Sequence, residues 1–437
     1  MSEQLQRIVI VGGGAGGLEL ATRLGHSLGR KKLAQIILID AVLTHVWKPL
    51  LHEVATGAMD AEANAVNFRA HARLHGFEFQ LGRMHTLERE QRQVLLEAIV
   101  DEQGQQVVAE RAISYDTLVI AVGSTANDFG TPGAQQHCLF LDSLQQARRF
   151  HRLLLNAFLH INYDPIGSHD GKLRIAIIGA GATGVELAAE LRQSSQLLPI
   201  YGMQRINPED VEITLIEAAE RILPALSERL SAAAQRELER LGIRLALGQP
   251  VAAVQADGLL LKDGQHLAAD IRVWAAGIKA PEFLTRLDGL ATNKINQLIV
   301  NQDLSCPDDA NIFAFGDCAS CPQPGSDKPV PPRAQAAHQQ ATTLALSVRQ
   351  RLQGGSARPY LYQDYGSLIS FSRYSSVGSL MGKLAGKSLF IEGRLARLVY
   401  LSLYRMHQLA LHGALRTGLI WLSDRINKVL GPRLKLH

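Results

Sequence analysis

Short aliphatic runs punctuate the chain. Ile8-Val9-Ile10-Val11, Ile36-Ile37-Leu38-Ile39, Ile175-Ala176-Ile177-Ile178 and Val211-Glu212-Ile213-Thr214-Leu215-Ile216 are each only a few residues long and rich in β-branched side chains. Apolar runs of that length predict strands buried on both faces, as in a parallel sheet covered by helices. The first and third run into glycine clusters that open helix-like stretches, Gly12-Gly13-Gly14-Ala15-Gly16-Gly17 and Gly179-Ala180-Gly181-Ala182-Thr183-Gly184. The second and fourth end in an acid, Asp40 and Glu217. A unit of strand, tight turn, helix and strand therefore occurs twice, its first glycines 167 residues apart. Further strands lead into small-residue turns: Tyr115 to Ile120 before Ala121-Val122-Gly123-Ser124-Thr125, and Ile271 to Trp274 before Ala275-Ala276-Gly277. Another, Asn311 to Phe315, ends at Gly316-Asp317.

This arrangement has a chemical reason. After a buried strand the backbone must turn tightly, pass a pyrophosphate with no side chain in the way, and start a helix close to the sheet, so glycine is favoured at three positions. Those positions are Gly12, Gly14 and Gly17 in the first unit, with Ala15 and Gly16 between them, and Gly179, Gly181 and Gly184 in the second. The helix start adds free N–H groups and the positive end of a dipole. An acid at the end of the next strand holds ribose hydroxyls and repels a 2′-phosphate. Glu217 followed by Ala218-Ala219 thus favours NADH over NADPH, with Arg221 the nearby group that argues the other way. The acid follows the third glycine by 23 residues in the first unit and 33 in the second, where Pro199 to Asp210 reads as an insertion ahead of the strand. The predicted fold is α/β, with two Rossmann-like dinucleotide-binding domains. The second is inserted in the first: residues 1–125 and 303–392 form one domain, 126–302 the other, and 393–437 a tail.

Composition adds a compartment and an asymmetry. The 437 residues are 46% hydrophobic and 20% charged, enough for two or three domains with substantial cores. The N-terminus runs through polar residues directly into a strand, without a visible signal peptide, and four cysteines without a paired framework fit a reducing cytoplasm. Cys318-Ala319-Ser320-Cys321 is a lone CxxC with no partner pair to complete a zinc site, and no metal is expected. The net charge is +4, but Arg394 to His437 hold eight Lys or Arg against one acid, Asp424. That segment is +7, which leaves −3 for the preceding 393 residues. Its pattern is helical: Arg394, Arg397, Arg405, Gln408 and His412 fall on one stripe, and Leu395, Leu398, Val399, Met406, Leu409 and Ala410 on the other side. Beyond Gly413, Leu415, Leu419, Leu422, Ile426 and Val429 face away from Arg416, Asp424 and Lys428. The longest uncharged stretch of the tail, Met406 to Leu415, has ten residues, far short of a bilayer span. Basic amphipathic helices with Tyr400, Tyr404 and Trp421 suit in-plane docking on an anionic lipid surface. Packing on the body of the protein or on a second subunit is the alternative, which leaves a homodimer open.

Longer motifs carry a family resemblance. His45-Val46-Trp47-Lys48-Pro49-Leu50-Leu51-His52-Glu53-Val54-Ala55-Thr56-Gly57, Gly316-Asp317-Cys318-Ala319, Pro332-Arg333-Ala334-Gln335-Ala336-Ala337-His338-Gln339 and the basic tail make nearly the whole chain resemble the type II NADH:quinone oxidoreductases, single-subunit flavoproteins. The resemblance assigns non-covalently bound FAD to the first unit and NADH, as substrate, to the second. It implies that Gly12, Gly14, Gly17 and Asp40 hold the FAD pyrophosphate and ribose, with Met84 near the adenine, Asp317 on the ribitol and Ala334 beside the flavin. Lys48 would stabilise charge on the flavin. Gly179, Gly181, Gly184 and Glu217 would hold NADH, with Ala276 and Gly277 passing close to it.

Three side chains stand as catalytic candidates. Glu186, two residues beyond the second fingerprint, approaches the nicotinamide and flavin in the family; the helix dipole would also stabilise an acid there. Gln335 and His338, three residues apart on a helix after Pro331-Pro332, share a face. Gln335 would hydrogen-bond a quinone carbonyl, and His338 would deliver a proton or serve as a structural histidine. The resemblance implies hydride transfer from NADH to FAD, two-electron reduction of a membrane quinone, no proton pumping, and a peripheral place on the cytoplasmic face of the bacterial inner membrane. Nothing in the chain points to nucleic acid. A flavin disulfide reductase would need a cysteine pair close after the first fingerprint, and residues 12 to 60 contain no cysteine. A flavin-dependent NADH sensor that turns over slowly is the alternative from another class.

Overall fold

The computed structural model describes residues 5–163, 171–372, 375–381, 388–430 and Leu434. The chain forms two compact units: Met1–Trp47, Asn64–Thr125 and Ile278–Gln363 in the first, and Lys48–Ala63, Ala126–Gly277 and Asp364–His437 in the second.

The first unit is built on a six-stranded sheet in the order Ser305–Cys306, Asp309–Ala314, Thr117–Ile120, Arg7–Val11, Gln35–Asp40 and Glu78–Leu81. Every neighbouring pair is parallel except the short edge strand Ser305–Cys306. The aliphatic run at the centre is buried, with Ile8 opposite Thr117 and Ile36 and Ile10 opposite Val119 and Leu38. The first fingerprint helix, Ala15–Leu24, packs against Ala334–Leu352. Met84–Glu88 joins Gln93–Leu96 and Arg111–Ser114 in an antiparallel sheet of three strands.

The second unit repeats the plan on a smaller scale. Its parallel sheet runs Arg244–Ala246, Val211–Ile216, Leu173–Ile178, Ile271–Trp274. Ile178, Ile216 and Trp274 from that sheet share an apolar cluster with Val254, Leu259 and Leu261 from an antiparallel three-stranded sheet. The second fingerprint helix, Ala182–Leu197, is followed by 3₁₀ turns at Leu198–Tyr201 and Pro208–Asp210, which occupy the insertion ahead of the second strand. The short helix Leu51–Ala55 lies against Leu144–Tyr163 and Ala182–Leu197, so Lys48–Ala63 packs in this unit. An antiparallel sheet of Gly366–Phe371, Ser375–Met381 and Ser388–Glu392 packs against the C-terminal helical stretch Gly393–Leu430.

That stretch is two helices, because Gly413 (φ 72°, ψ 172°) breaks it where the sequence places the break. In the first helix His407, Gln408 and Leu411 are buried while Met406 and Leu409 are exposed. The polar stripe thus faces inward at Gln408, which accepts a hydrogen bond from Arg405 at 2.5 Å. In the second helix Leu415, Leu419, Leu422 and Ile426 are between 49% and 81% exposed. Arg416 and Arg425 are also exposed, the latter stacked over Trp421. The side chains of Arg394, Leu395, Arg397, Leu398, Val399, Tyr400, Asp424, Lys428 and Val429 lie outside the described residues, as do Arg433 and Lys435 altogether. Among the described residues no helix is long and apolar enough to cross a membrane.

The helix and strand of each fingerprint touch so closely that a side chain has no room between them. A Cβ on Gly17 would stand 1.9 Å from the Gly12 carbonyl oxygen, and one on Gly184 2.0 Å from that of Gly179. We expect Gly17→Ala and Gly184→Ala each to cost about 2 kcal/mol by overpacking, a fall of roughly 5 °C in the melting midpoint. With the protein measured free of nucleotide, Gly14→Ala and Gly181→Ala, where a Cβ meets nothing within 4 Å, should leave the midpoint unchanged. Equal melting of all four variants would refute the packing account.

His52 supplies a pH test of the second unit. Burial lowers its pKa from 6.5 to about 4, against a hydrogen bond to the Pro49 backbone that raises it. Between those pH values the unfolded chain holds the extra proton, so stability is full above pH 6.5 and falls toward pH 4. Unfolding free energies measured in denaturant at pH 7 and pH 5 should differ by about 2 kcal/mol more in the wild type than in His52→Gln. Equal slopes would show that His52 does not titrate as its burial requires.

Candidate functional site

Each fingerprint turn is held by the acid that follows it. In the first unit, Gly12 leaves its strand with φ +103° and donates to the Ile39 carbonyl at 2.8 Å. The next N–H, of Gly13, donates to Asp40 Oδ2 at 2.6 Å, and the N–H of Val42 donates to Oδ1 at 2.9 Å. In the second unit, Gly179 has φ +102° and donates to the Ile216 carbonyl at 2.8 Å. Ala180 N–H then donates to Glu217 Oε2 at 2.8 Å and Ala219 N–H to Oε1 at 3.0 Å. The two clamps match atom for atom in role. Burial raises the Asp40 pKa above its ordinary value, while N–H donors of Gly13, Val42 and Ala41 and the charge of Arg83 pull it down.

The turns close from the other side as well. A Cβ on Gly12 would lie 2.4 Å from the Ala121 carbonyl oxygen, and one on Gly179 2.6 Å from Ala276 Cα, so the small-residue turns pass directly over the fingerprints. Gly14 and Gly181 are the N-cap positions, with no side-chain cap and open space where a Cβ would stand. The helix ends therefore present backbone N–H groups to a path no side chain blocks, which fits a dinucleotide pyrophosphate at each turn. Arg221 is engaged elsewhere: its guanidinium donates to the carbonyls of Leu226, Pro224 and Leu223. It is held by its own loop rather than by Glu217.

Other expected residues of the first unit have these surroundings. Asp317 sits in the 3₁₀ turn Gly316–Cys318 and accepts from Ser124 Oγ at 2.8 Å. The Asp317 carbonyl accepts from Gln297 Nε2, and Gln340 Oε1 accepts the Gly316 N–H. Met84 is buried at the start of its strand, and Ala334 is the first residue of its helix. His45 Nδ1 lies 3.0 Å from the Gly13 carbonyl, a contact that sequence reasoning did not single out.

The catalytic candidates differ in surroundings. Gln335 Nε2 donates to the Tyr362 hydroxyl at 2.7 Å. His338 instead turns its Nδ1 to Glu19 Oε2 at 2.6 Å, while Arg23 holds Oε1 at 2.7 Å. Glu19 is wholly buried. It occupies the fifth position of its helix, two residues beyond Gly17, and Glu186 occupies the same position beyond Gly184. The repeat was the signal that could have found Glu19. Glu186 lies just past the first turn, where the dipole is no longer the main influence, and it too is buried. One oxygen accepts the Ser370 N–H at 3.1 Å and the other is 4.0 Å from His52 Nδ1. With the imidazole neutral at pH 7, this approach is not an ion pair. Lys48 belongs to the second unit, 3.4 Å from Asp142 Oδ1, whose other oxygen accepts the Ala126 N–H. Ala276 accepts from Trp274 Nε1 through its carbonyl, and Gly277 has φ +65°.

The cysteines are buried and none is in a disulfide. Burial pushes Cys138, Cys306 and Cys321 up to about 12 and Cys318 to about 11. At neutral pH these thiols are protonated, and a thiol in that state is a poor redox nucleophile. Among the described residues no group of three or more His, Cys, Asp or Glu is placed to hold a metal ion.

The pyridine nucleotide-disulphide oxidoreductase family matches residues 6–341. A type II NADH:quinone oxidoreductase of Haemophilus influenzae is 45% identical to this chain over 445 residues, covering 99% of the chain and 100% of the relative. Another, of Staphylococcus aureus, is 29% identical over 394 residues, covering 89% of the chain and 93% of the relative. In fold, the chain resembles the structure of NDH2 from Plasmodium falciparum in complex with NADH, with a TM-score of 0.83, 18% identity, and coverage of 99% and 100%. The buried thiols set the chain apart from the disulfide chemistry in the family's name, and the full-length identity places it in one branch: the chain belongs to the pyridine nucleotide-disulphide oxidoreductases and, within them, to the type II NADH:quinone oxidoreductases.

Proposed function

We propose that the protein oxidises NADH and reduces a membrane quinone, with FAD held by the first unit and NADH by the second. The observation that carries this reading is the duplicated turn, clamped by Asp40 in one unit and Glu217 in the other, in a chain of this family. FAD, when bound, supplies the redox chemistry, accepting a hydride from NADH and passing two electrons to the quinone. The chain supplies position and charge. Gly12, Gly14, Ala15, Gly16 and Gly17 leave the pyrophosphate path clear, Asp40 takes the adenosine ribose, Met84 lines the adenine, and Asp317 and Ala334 take the ribitol and flavin end. Gly179, Gly181, Gly184 and Glu217 do the same for NADH, with Ala276 and Gly277 at its far end. Glu217 and the engagement of Arg221 favour NADH over NADPH.

The remaining candidates act on charge and protons. Lys48 places a cation for the flavin. Glu186 is held by Ser370 N–H with its second oxygen beside a neutral His52, an environment in which a carboxyl can exchange a proton. Gln335 donates to a quinone carbonyl. His338, with Nδ1 held by Glu19, keeps Nε2 for proton exchange. The outward Leu415, Leu419, Leu422 and Ile426, flanked by Arg416 and Arg425, seat the protein on anionic lipid at the cytoplasmic face of the inner membrane.

The purified protein should be yellow, bleach when NADH is added, and regain colour with a short-chain quinone. Bleaching without return of colour would favour the sensor. Gly14→Ala should lose FAD affinity and Gly181→Ala should raise the KM for NADH, each about tenfold or more at unchanged stability; unchanged nucleotide binding would refute the placement. For the tail, the combined substitution Leu415→Ser, Leu419→Ser, Leu422→Ser and Ile426→Ser should release the protein from anionic vesicles in a sedimentation assay. NADH oxidation with a water-soluble acceptor should persist. A variant that still pellets with the vesicles would overturn the lipid assignment.

A further inference from the structure

Phe129 has an unusual combination of features. Its backbone is in the left-handed region, φ +52°, where an aromatic residue is strained. The residue is 66% exposed, yet its ring is seated against a backbone turn: a Cβ on Gly277 would stand 2.3 Å from its Cζ. Strain of this kind persists only where neighbouring bonds over-determine the conformation, and here they do. Asn127 Oδ1 accepts the Phe129 N–H at 3.0 Å, and Asp128 binds Gly130 N–H through Oδ1 and Gln135 Nε2 through Oδ2. Asn127 is itself fixed to the turn: its N–H donates to the Gly277 carbonyl at 3.2 Å, and its carbonyl shares the Trp274 indole N–H with that of Ala276. A loop held this firmly exposes one aromatic face on the turn that closes the second fingerprint.

Sheet order says which part of a dinucleotide lies there. The acid that takes the adenosine ribose, Glu217, ends the strand on one side of Leu173–Ile178, and the Ala276-Gly277 turn follows the strand on the other side. A pyrophosphate at the intervening helix start therefore directs the adenosine half toward Glu217 and the other half toward Gly277. We propose that Phe129 is a specificity-determining residue whose exposed ring packs against the nicotinamide half of NADH, at the end of the site opposite Glu217. This rests on the NADH reading of the second unit and adds to it a named side chain for the reacting end. The loop brings the aromatic surface in place before the ligand arrives, so little side-chain freedom is lost on binding.

The test compares ligands that differ only at that end. Calorimetric titration of the FAD-loaded protein with NAD⁺ and with ADP-ribose, which lacks the nicotinamide, isolates the contribution. Phe129→Gly removes the ring and suits a positive φ, so the fold should hold and its melting midpoint should not drop. It should weaken NAD⁺ about fivefold or more and leave ADP-ribose within about twofold. Phe129→Tyr, which keeps the ring, should retain NAD⁺ affinity within about twofold. Equal loss for both ligands, or no loss for either, overturns the assignment of Phe129. A wild-type protein that binds neither ligand overturns the NADH reading, and the assignment with it.

Discussion

The contact on which both nucleotide sites depend is a carboxylate reaching back from the end of one strand to the backbone of the neighbouring strand's turn. Asp40 and Glu217 each accept the N–H that follows the first fingerprint glycine, and each caps its own loop with the other oxygen. A backbone turn with φ near +100° has N–H groups that its own sheet cannot satisfy, and a buried carboxylate satisfies one of them. In the proposed function the same two carboxylates also take the ribose hydroxyls. On that reading one group serves both shape and ligand selection, and losing the acid would loosen the turn as well as the ribose contact. The likeness goes down to the base of the sheets, where Arg7 N–H donates to Asp116 and Arg174 N–H to Asp270, both at 2.7 Å.

On this shared frame the two units use one equivalent side chain differently. Glu19 and Glu186 stand at the same helical position, and both are buried. Glu19 is closed off by two cationic or cation-capable partners, Arg23 and His338. Glu186 meets a backbone N–H and an imidazole that burial keeps neutral. A carboxylate flanked by cationic or cation-capable groups sits in a different field from one beside a backbone N–H and a neutral ring. Duplication supplied the position, and the partners from distant segments, Ser370 and His52 against His338, decided its chemistry.

The two nucleotide units were legible because their signals are local. Strand, glycine turn, helix and acid lie within about forty residues, and each element is dictated by its own sequence. The break at Gly413 was legible for the same reason, since an isolated glycine between two amphipathic patterns marks a boundary. What sequence could not show is pairing between remote segments. His338 and Glu19 are 319 residues apart, and Ser370 and Glu186 are 184 apart. The place of Lys48–Ala63 was hidden likewise: it follows the first unit's second strand directly but packs on Leu144–Tyr163 and Ala182–Leu197, helices that come much later. Arg221 shows the limit at short range. Its distance from Glu217 suggested a 2′-phosphate partner, yet rotamer and loop direct it to carbonyls within five residues.

The tail shows how burial reverses a pattern-based expectation of orientation. An amphipathic helix on a globular surface ordinarily turns its apolar stripe inward. Here Gln408 and His407 are inside and Met406 and Leu409 outside, and beyond Gly413 a leucine stripe is left facing out. Leaving Leu415, Leu419, Leu422 and Ile426 between 49% and 81% exposed forgoes roughly 1 kcal/mol for each. In the proposed function a lipid surface covers that stripe in use. The exposed Arg416 and Arg425 on the same helix suit a boundary that carries negative charge, and this supports that reading.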